Sequence, residues 1–178
     1  KLLIGGGMAF TFLKAQGNEI GKSLLDADSL DFAAQMLQQA GDKLLLPTDV
    51  VVAPALEPNA PTQTVPVSQI PADQMGLDIG SETAQSFSEA VKTARTVVWN
   101  GPLGAFETPP FEQGTRAVLQ ALAESGAVSI LGGGDTAAAA ERLGFADKMT
   151  HISTGGGASL EFLEGRELPG VTALLDQS

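Results

Sequence analysis

Residues 127–136 read Ala127-Val128-Ser129-Ile130-Leu131-Gly132-Gly133-Gly134-Asp135-Thr136, an apolar run closed by a glycine triplet and an acid–hydroxyl pair. Ala127–Leu131 reads as a strand and Thr136–Leu143 as the helix after it, so the glycines form the turn between them. Glycines let a backbone come close to phosphate oxygens, and the free N–H groups of a helix N-terminus favour an anion. Asp135 is awkward beside a bare phosphate, and two readings stand. It holds a Mg²⁺ placed between carboxylate and phosphate, or it is an ordinary helix N-cap. Thr136 either donates to a phosphate or begins the helix.

The same grammar recurs outward from this segment. Lys1–Ile4 is a short apolar run that ends in Gly5-Gly6-Gly7 before a helix over Met8–Gln16, and the strand His151–Ser153 leads to Gly155-Gly156-Gly157. Nine of the 21 glycines therefore sit in three triplets, each directly after a strand. Between them, Leu30, Ala33, Ala34 and Leu37 predict a helix over Ser29–Ala40, capped by Asp28 or Ser29 and ended by Gly41. Asp49–Ala53 predicts a buried strand, Ala84, Phe87, Val91 and Ala94 a helix, Thr96–Trp99 a strand, and Gly114–Glu124 a further helix. Five prolines between residues 54 and 75, with alternation over Thr62–Val67, predict a surface excursion with edge strands.

Strands alternating with helices predict an α/β fold, a Rossmann-like three-layer α/β/α sandwich with a mainly parallel sheet. Ligands of such sheets lie at the carboxyl ends of the strands, where all three triplets are expected to gather. The chain opens inside a strand–turn–helix unit, so the sheet is expected to be incomplete at its N-terminal edge, with the native polypeptide extending upstream.

Ten Lys and Arg stand against 21 Asp and Glu, a net charge of −11 with one His. Nucleic acid and anionic membranes both require clustered cations, so neither is an expected partner. An anionic ligand has to be held by backbone N–H groups, helix ends or a metal. The absence of Cys removes thiol nucleophiles and zinc–thiolate sites and fits a reducing cytoplasm. No apolar run reaches membrane-spanning length.

Two familiar fingerprints fail on spacing. Gly132, Gly134 and Ala137 satisfy G-x-G-x-x-A, but an NAD site needs an acidic residue about 20 positions on, where Ile152 and Ser153 stand. Gly17–Ser23 has one residue too few between its glycines for a phosphate-binding Walker loop, and no strand precedes it. Lys22 is expected in solvent. In Trp99-Asn100-Gly101-Pro102-Leu103-Gly104-Ala105-Phe106-Glu107, Asn100 suits a base or phosphate edge, Pro102 offers a flat apolar surface, and Glu107 suits a pair of hydroxyls. His151 is expected to be structural.

In order, GGGMAFTFLKAQG, IGKSL, GLDIG, WNGPLGAFE, LGGGDTAAA and HISTGGGASLEFLEG closely resemble the C-terminal, nucleotide-binding domain of the phosphoglycerate kinase family over Lys1 to about Val171. The resemblance implies that residues 1–178 are most of the nucleotide domain of a two-domain cytoplasmic, monomeric kinase of glycolysis. Its substrate domain and first β-α unit, with the lysine that neutralises the transferred group, lie outside this sequence. It further implies that Gly6, Gly7, Leu24 and Gly80 line an adenine pocket, Asn100 and Pro102 lie along the nucleotide, and Glu107 holds the ribose hydroxyls. Gly134, Asp135 and Thr136 would take Mg²⁺ and the terminal phosphates of ADP or ATP. Gly155, Gly156 and Gly157 would present N–H groups at the transfer site, with Ser153 and Thr154 in the domain hinge. The implied partners are 1,3-bisphosphoglycerate and 3-phosphoglycerate, bound through the other domain. Ser81 stands where many members have Pro, a change that a helix start tolerates. The isolated chain is expected to be a catalytically inactive nucleotide-binding fragment.

Overall fold

A computed structural model describes residues 1–175; residues 176–178, the end of the expected domain range, lie outside the described residues. In chain order the elements are β1 (Leu2–Leu3), α1 (Gly6–Ala15), α2 (Leu30–Ala40), β2 (Leu44–Leu45), β3 (Asp49–Ala53), β4 (Gln63–Pro66), β5 (Met75–Ile79) and α3 (Ser81–Lys92). There follow β6 (Thr96–Asn100), α4 (Gln113–Ser125), β7 (Val128–Gly132), α5 (Gly134–Arg142), β8 (His151–Ser153), α6 (Gly156–Leu163) and α7 (Pro169–Leu175).

Parallel pairing dominates, as expected of strands joined by helical crossovers. β1 pairs with β2, and β6, β7 and β8 form a parallel sheet in sequence order, with Asn100, Gly132 and Ser153 in register at its carboxyl end. β1 and β6 share no ladder, yet Leu3 and Leu45 pack on the same core as Trp99, Leu131, Phe87 and Leu119. The two sets of parallel strands therefore share one core without a continuous ladder between them.

The residues 49–79 depart from the α/β expectation. β3 is the centre of an antiparallel sheet ordered β4-β3-β5. The edge strand in the proline-rich stretch is present as β4, whereas β5 is absent from the sequence expectations. Gly76 and Asp78 interrupt its apolar pattern, and both residue types are depleted in strands. α1 holds this sheet to the rest of the molecule: Phe10 and Leu13 pack with Val50, Val52 and Val65, and Phe12 meets Ala33 of α2.

Helix starts also differ from expectation. Ser29 precedes α2 but makes no capping bond; its hydroxyl donates to Asp26 Oδ2 at 2.6 Å. α3 and α4 also lack a capping side chain of their own. Each receives a buried aspartate from a strand instead. Asp49 accepts the Glu82 and Thr83 N–H groups at 3.1 and 2.8 Å, and Asp78 Oδ2 accepts the Gly114 N–H at 2.8 Å. These carboxylates satisfy donors that every helix start leaves unpaired and complement the positive end of its dipole.

Candidate functional site

The carboxyl ends of β6, β7 and β8 meet at Asn100. A methyl group added at Gly156 would sit 2.8 Å from Gly133 Cα and 3.0 Å from Asn100 Nδ2, and one added at Gly132 would sit 3.3 Å from that amide. The second and third glycine triplets are thus packed together, and the Gly133 N–H donates to the Ser153 carbonyl at 2.9 Å. Gly133 caps α5 with φ +94°, a conformation that favours glycine. Asp135 is consequently the second residue of α5 and exposed, so its reading as the N-cap is overturned.

Thr136 is buried, and its hydroxyl oxygen accepts the Gly101 N–H at 2.7 Å. This bond ties the loop after β6 to the start of α5. It gives Thr136 a structural task, while its hydroxyl hydrogen still has to be donated elsewhere. From Gly101 the loop continues to the first triplet. The Gly6 N–H donates to Leu103 O at 3.1 Å, Gly6 holds φ +62°, and a side chain there would come within 2.7 Å of Pro102 O. Gly7 faces Leu24, with an added methyl 3.0 Å from Leu24 Cδ1. Leu24 is 75 % exposed, an apolar surface beside bare backbone. Glu107 lies further along the same loop, exposed.

The expected residues therefore form a track rather than one cluster of triplets. It runs from Leu24 and Gly7 through Gly6, Pro102 and Gly101 to Thr136, Asp135, Gly133, Asn100 and Gly156. The first triplet is linked to the other two through the loop 100–103. Gly134 and Gly157 face open space at the Cβ position. In the last triplet the Gly155 N–H donates to Ser153 Oγ and the Gly156 N–H to Thr154 O, both at 3.2 Å. Two of the three N–H groups expected at a transfer site are thus engaged in the turn. His151 is exposed at the opposite end of β8 from that triplet.

Gly80 stands apart. It caps α3 at the far end of β5 from Gly76, whose N–H donates to the hydroxyl of Ser23, the neighbour of Leu24. A side chain at Gly80 would run into the Asp49 carboxylate. The bareness of Gly80 is explained by that carboxylate, and the structure does not bring it to Leu24. Lys22 is exposed, in a turn closed by its N–H on Gln74 O at 2.7 Å.

Asp78 is absent from the site residues that the sequence predicts. Its carboxyl is pushed up to about 7 by burial, against the opposing pull of the amides of Gly114, Ile79 and Gln113, with Glu112 adding to the rise. Asp78 is 3 % exposed. The signal was an acidic residue within an apolar run, which is costly unless partners wait for it.

A divalent cation fits one place on the track. Among the described residues no group of three or more His, Asp or Glu converges as a metal cage. Asp135 offers one exposed carboxylate in the first turn of α5 beside the open Gly134. One carboxylate with the remaining positions left to water and phosphate is a donor set that suits Mg²⁺.

The Phosphoglycerate kinase family model matches residues 1–166. A phosphoglycerate kinase of Pelotomaculum thermopropionicum is 62 % identical over 99 % of this chain, and one of Listeria monocytogenes is 58 % identical over the same share. The chain spans 46 % and 45 % of those relatives, a little under half of their length. Among solved structures, phosphoglycerate kinase from Coxiella burnetii superposes with a TM-score of 0.91 at 46 % identity, covering 96 % of this chain and 45 % of that one. The enzyme from Pyrococcus horikoshii OT3 gives 0.84 at 34 % identity, covering 97 % and 44 %. With its glycine-lined track at the carboxyl ends of parallel strands and a match spanning nearly all its residues, this chain belongs to the phosphoglycerate kinase family.

Proposed function

We propose that this chain is the nucleotide-binding part of a phosphoglycerate kinase and holds ADP or ATP with Mg²⁺ along the glycine track. The observation that carries the reading is the meeting of Asn100, Gly133 and Gly156 beside the exposed Asp135 at the start of α5. The base lies against Gly6, Gly7, Leu24 and Pro102, the ribose hydroxyls on Glu107, and the terminal phosphates at Gly134, Asp135 and Thr136. Mg²⁺ held by Asp135 would neutralise phosphate charge that this acidic chain otherwise repels. In the longer protein the phosphoryl group passes between 1,3-bisphosphoglycerate and ADP, giving 3-phosphoglycerate and ATP. Such a transfer needs positioning and charge stabilisation more than a protein nucleophile, and backbone amides with a cation can supply both.

Calorimetric titration of the chain with ADP, with and without Mg²⁺, tests the reading. Saturable binding strengthened by Mg²⁺ and not displaced by NAD is expected; binding to NAD but not to ADP would sink it. The net charge of −11 favours a second statement, that the acidic substrate is bound by residues outside this chain. The chain alone is then expected to form no ATP from 1,3-bisphosphoglycerate and Mg-ADP in a coupled assay, and measurable turnover would overturn that. The cytoplasm is the compartment in which such a kinase of glycolysis would work.

A further inference from the structure

We propose that Asp78, buried beneath the loop that follows β6, is a positioning residue that sets where Glu107 stands relative to the nucleotide. This rests on the function proposed above. The loop 101–112 carries both Pro102 and Glu107 and is held at spaced points. Gly101 N–H donates to Thr136 Oγ1 at 2.7 Å, Leu103 N–H to Thr115 Oγ1 at 3.0 Å, and Ala105 N–H to Leu77 O at 2.9 Å.

The last bond has a structural origin. The β3–β5 register shifts between Val51 and Val52, which face Asp78 and Gly76, so Leu77 has no partner residue across the ladder. Such an irregularity re-aims the strand locally. Its carbonyl turns to the loop, and its neighbour Asp78 spans the two loop ends. Asp78 Oδ1 accepts the Ile79 N–H at 2.8 Å and Oδ2 the Gly114 N–H at 2.8 Å. Gly104 and Gly114 both pack so closely on this carboxylate that neither has room for a Cβ. One buried group thus fixes the start of the loop, through Gly104, and its end, through Gly114. Glu107 lies between them with its own side chain in solvent. Glu112, at the start of α4 and paired with Arg116 at 2.7 Å, is the other carboxylate acting on Asp78. Asp49, two residues along β3 from the partner of Asp78, is occupied by α3.

The test compares the affinity of this chain for ADP and for 2′,3′-dideoxy-ADP, which lacks the hydroxyls assigned to Glu107. The ratio isolates the ribose contact from phosphate and metal effects. In Asp78→Asn, one carboxylate oxygen becomes an amide nitrogen that cannot accept an N–H. The preference for ADP is expected to fall about tenfold, the scale of one charged hydrogen bond. Glu107→Gln should lower the same ratio, and the double variant should lose no more than Glu107→Gln alone. A folded Asp78→Asn chain that keeps the wild-type ratio overturns the proposal. If the wild-type chain binds ADP without preferring it to the dideoxy form, the assignment of Glu107 fails and this inference with it; absence of ADP binding overturns the proposed function itself.

Should Asp78→Asn not fold, the wild-type chain supplies the measurement. An ionised Asp78 accepts both amides most firmly, so the ratio is expected to fall as pH drops through the midpoint reported by the Gly114 amide in an NMR titration. A ratio independent of pH across that midpoint overturns the proposal.

Discussion

At Asp135 and Gly80 the atoms packed around a residue, more than its type, decide what it is free to do. Asp135 follows a glycine turn, as an N-cap would, but Gly133 at φ +94° takes the capping position and leaves Asp135 exposed one turn-step on. Its carboxylate has no capping duty that a metal would have to displace. Asp135→Ala is expected to weaken ADP binding about tenfold in Mg²⁺ and to leave adenosine binding unchanged; equal losses for both ligands by calorimetry would refute the metal assignment. Gly80 is the converse case. Its lack of a side chain resembles a ligand-facing feature, yet the Asp49 carboxylate occupies the space. Gly80→Ala is expected to destabilise the fold by about 1–3 kcal/mol through overpacking. Denaturant unfolding should show the loss, while the folded protein keeps its affinity for ADP.

At the scale of elements, the strand-to-helix turns were legible because their determinants are local. An apolar run, a glycine triplet and a periodic helix specify β7, its turn and α5 from contiguous residues; β8 and its glycine turn are legible in the same way, whereas α6 is absent from the sequence expectations. That both turns lie at one sheet edge was expected; the closeness of their packing was not legible. It arises where Gly156 reaches Gly133 across the sheet, with Asn100 closing the third side. Gly156→Ala would push a methyl group into Gly133 and is expected to part the two turns. ADP should then bind about tenfold more weakly, with a smaller effect on adenosine, measured by competition. Equal weakening of both would mean that the damage spreads to the adenine end. β5 is not legible locally for a related reason. Its Gly76 and Asp78 oppose strand formation locally, and their compensation lies in Phe10 of α1 and the amides of α4.

Across the whole molecule, Asp78 couples this architecture to pH. Its carboxyl is raised from the ordinary 3.8 to about 7, chiefly by burial. In the unfolded chain the group ionises near the ordinary value, so between about 4 and 7 the folded form alone retains the proton. The stabilisation is complete below that window and is lost as pH rises through it. Thermal unfolding is expected to shift down between pH 5 and pH 8, by an amount worth a few kcal/mol or less, and Asp78→Asn should flatten the slope. A wild-type stability that rises over this range would contradict the assignment. Ionisation thus firms the loop locally while it costs the fold globally, because the same amides that welcome the carboxylate do not fully replace water.

The sequence by itself determined the parallel β-α units, the three glycine turns, the family and the residues eligible to meet a nucleotide, since each depends on neighbours a few positions apart. Tertiary structure alone decided which of them converge. It brought Asn100, Gly133 and Gly156 together, threaded Gly6 to Thr136 through the 101–103 loop, and sent Gly80 to Asp49. It also turned two strand aspartates into helix caps more than 30 residues away in the chain. The reason is physical: a buried carboxylate or a bare glycine has meaning only through the atoms packed against it, and those atoms are set by how helices and sheets close on one another.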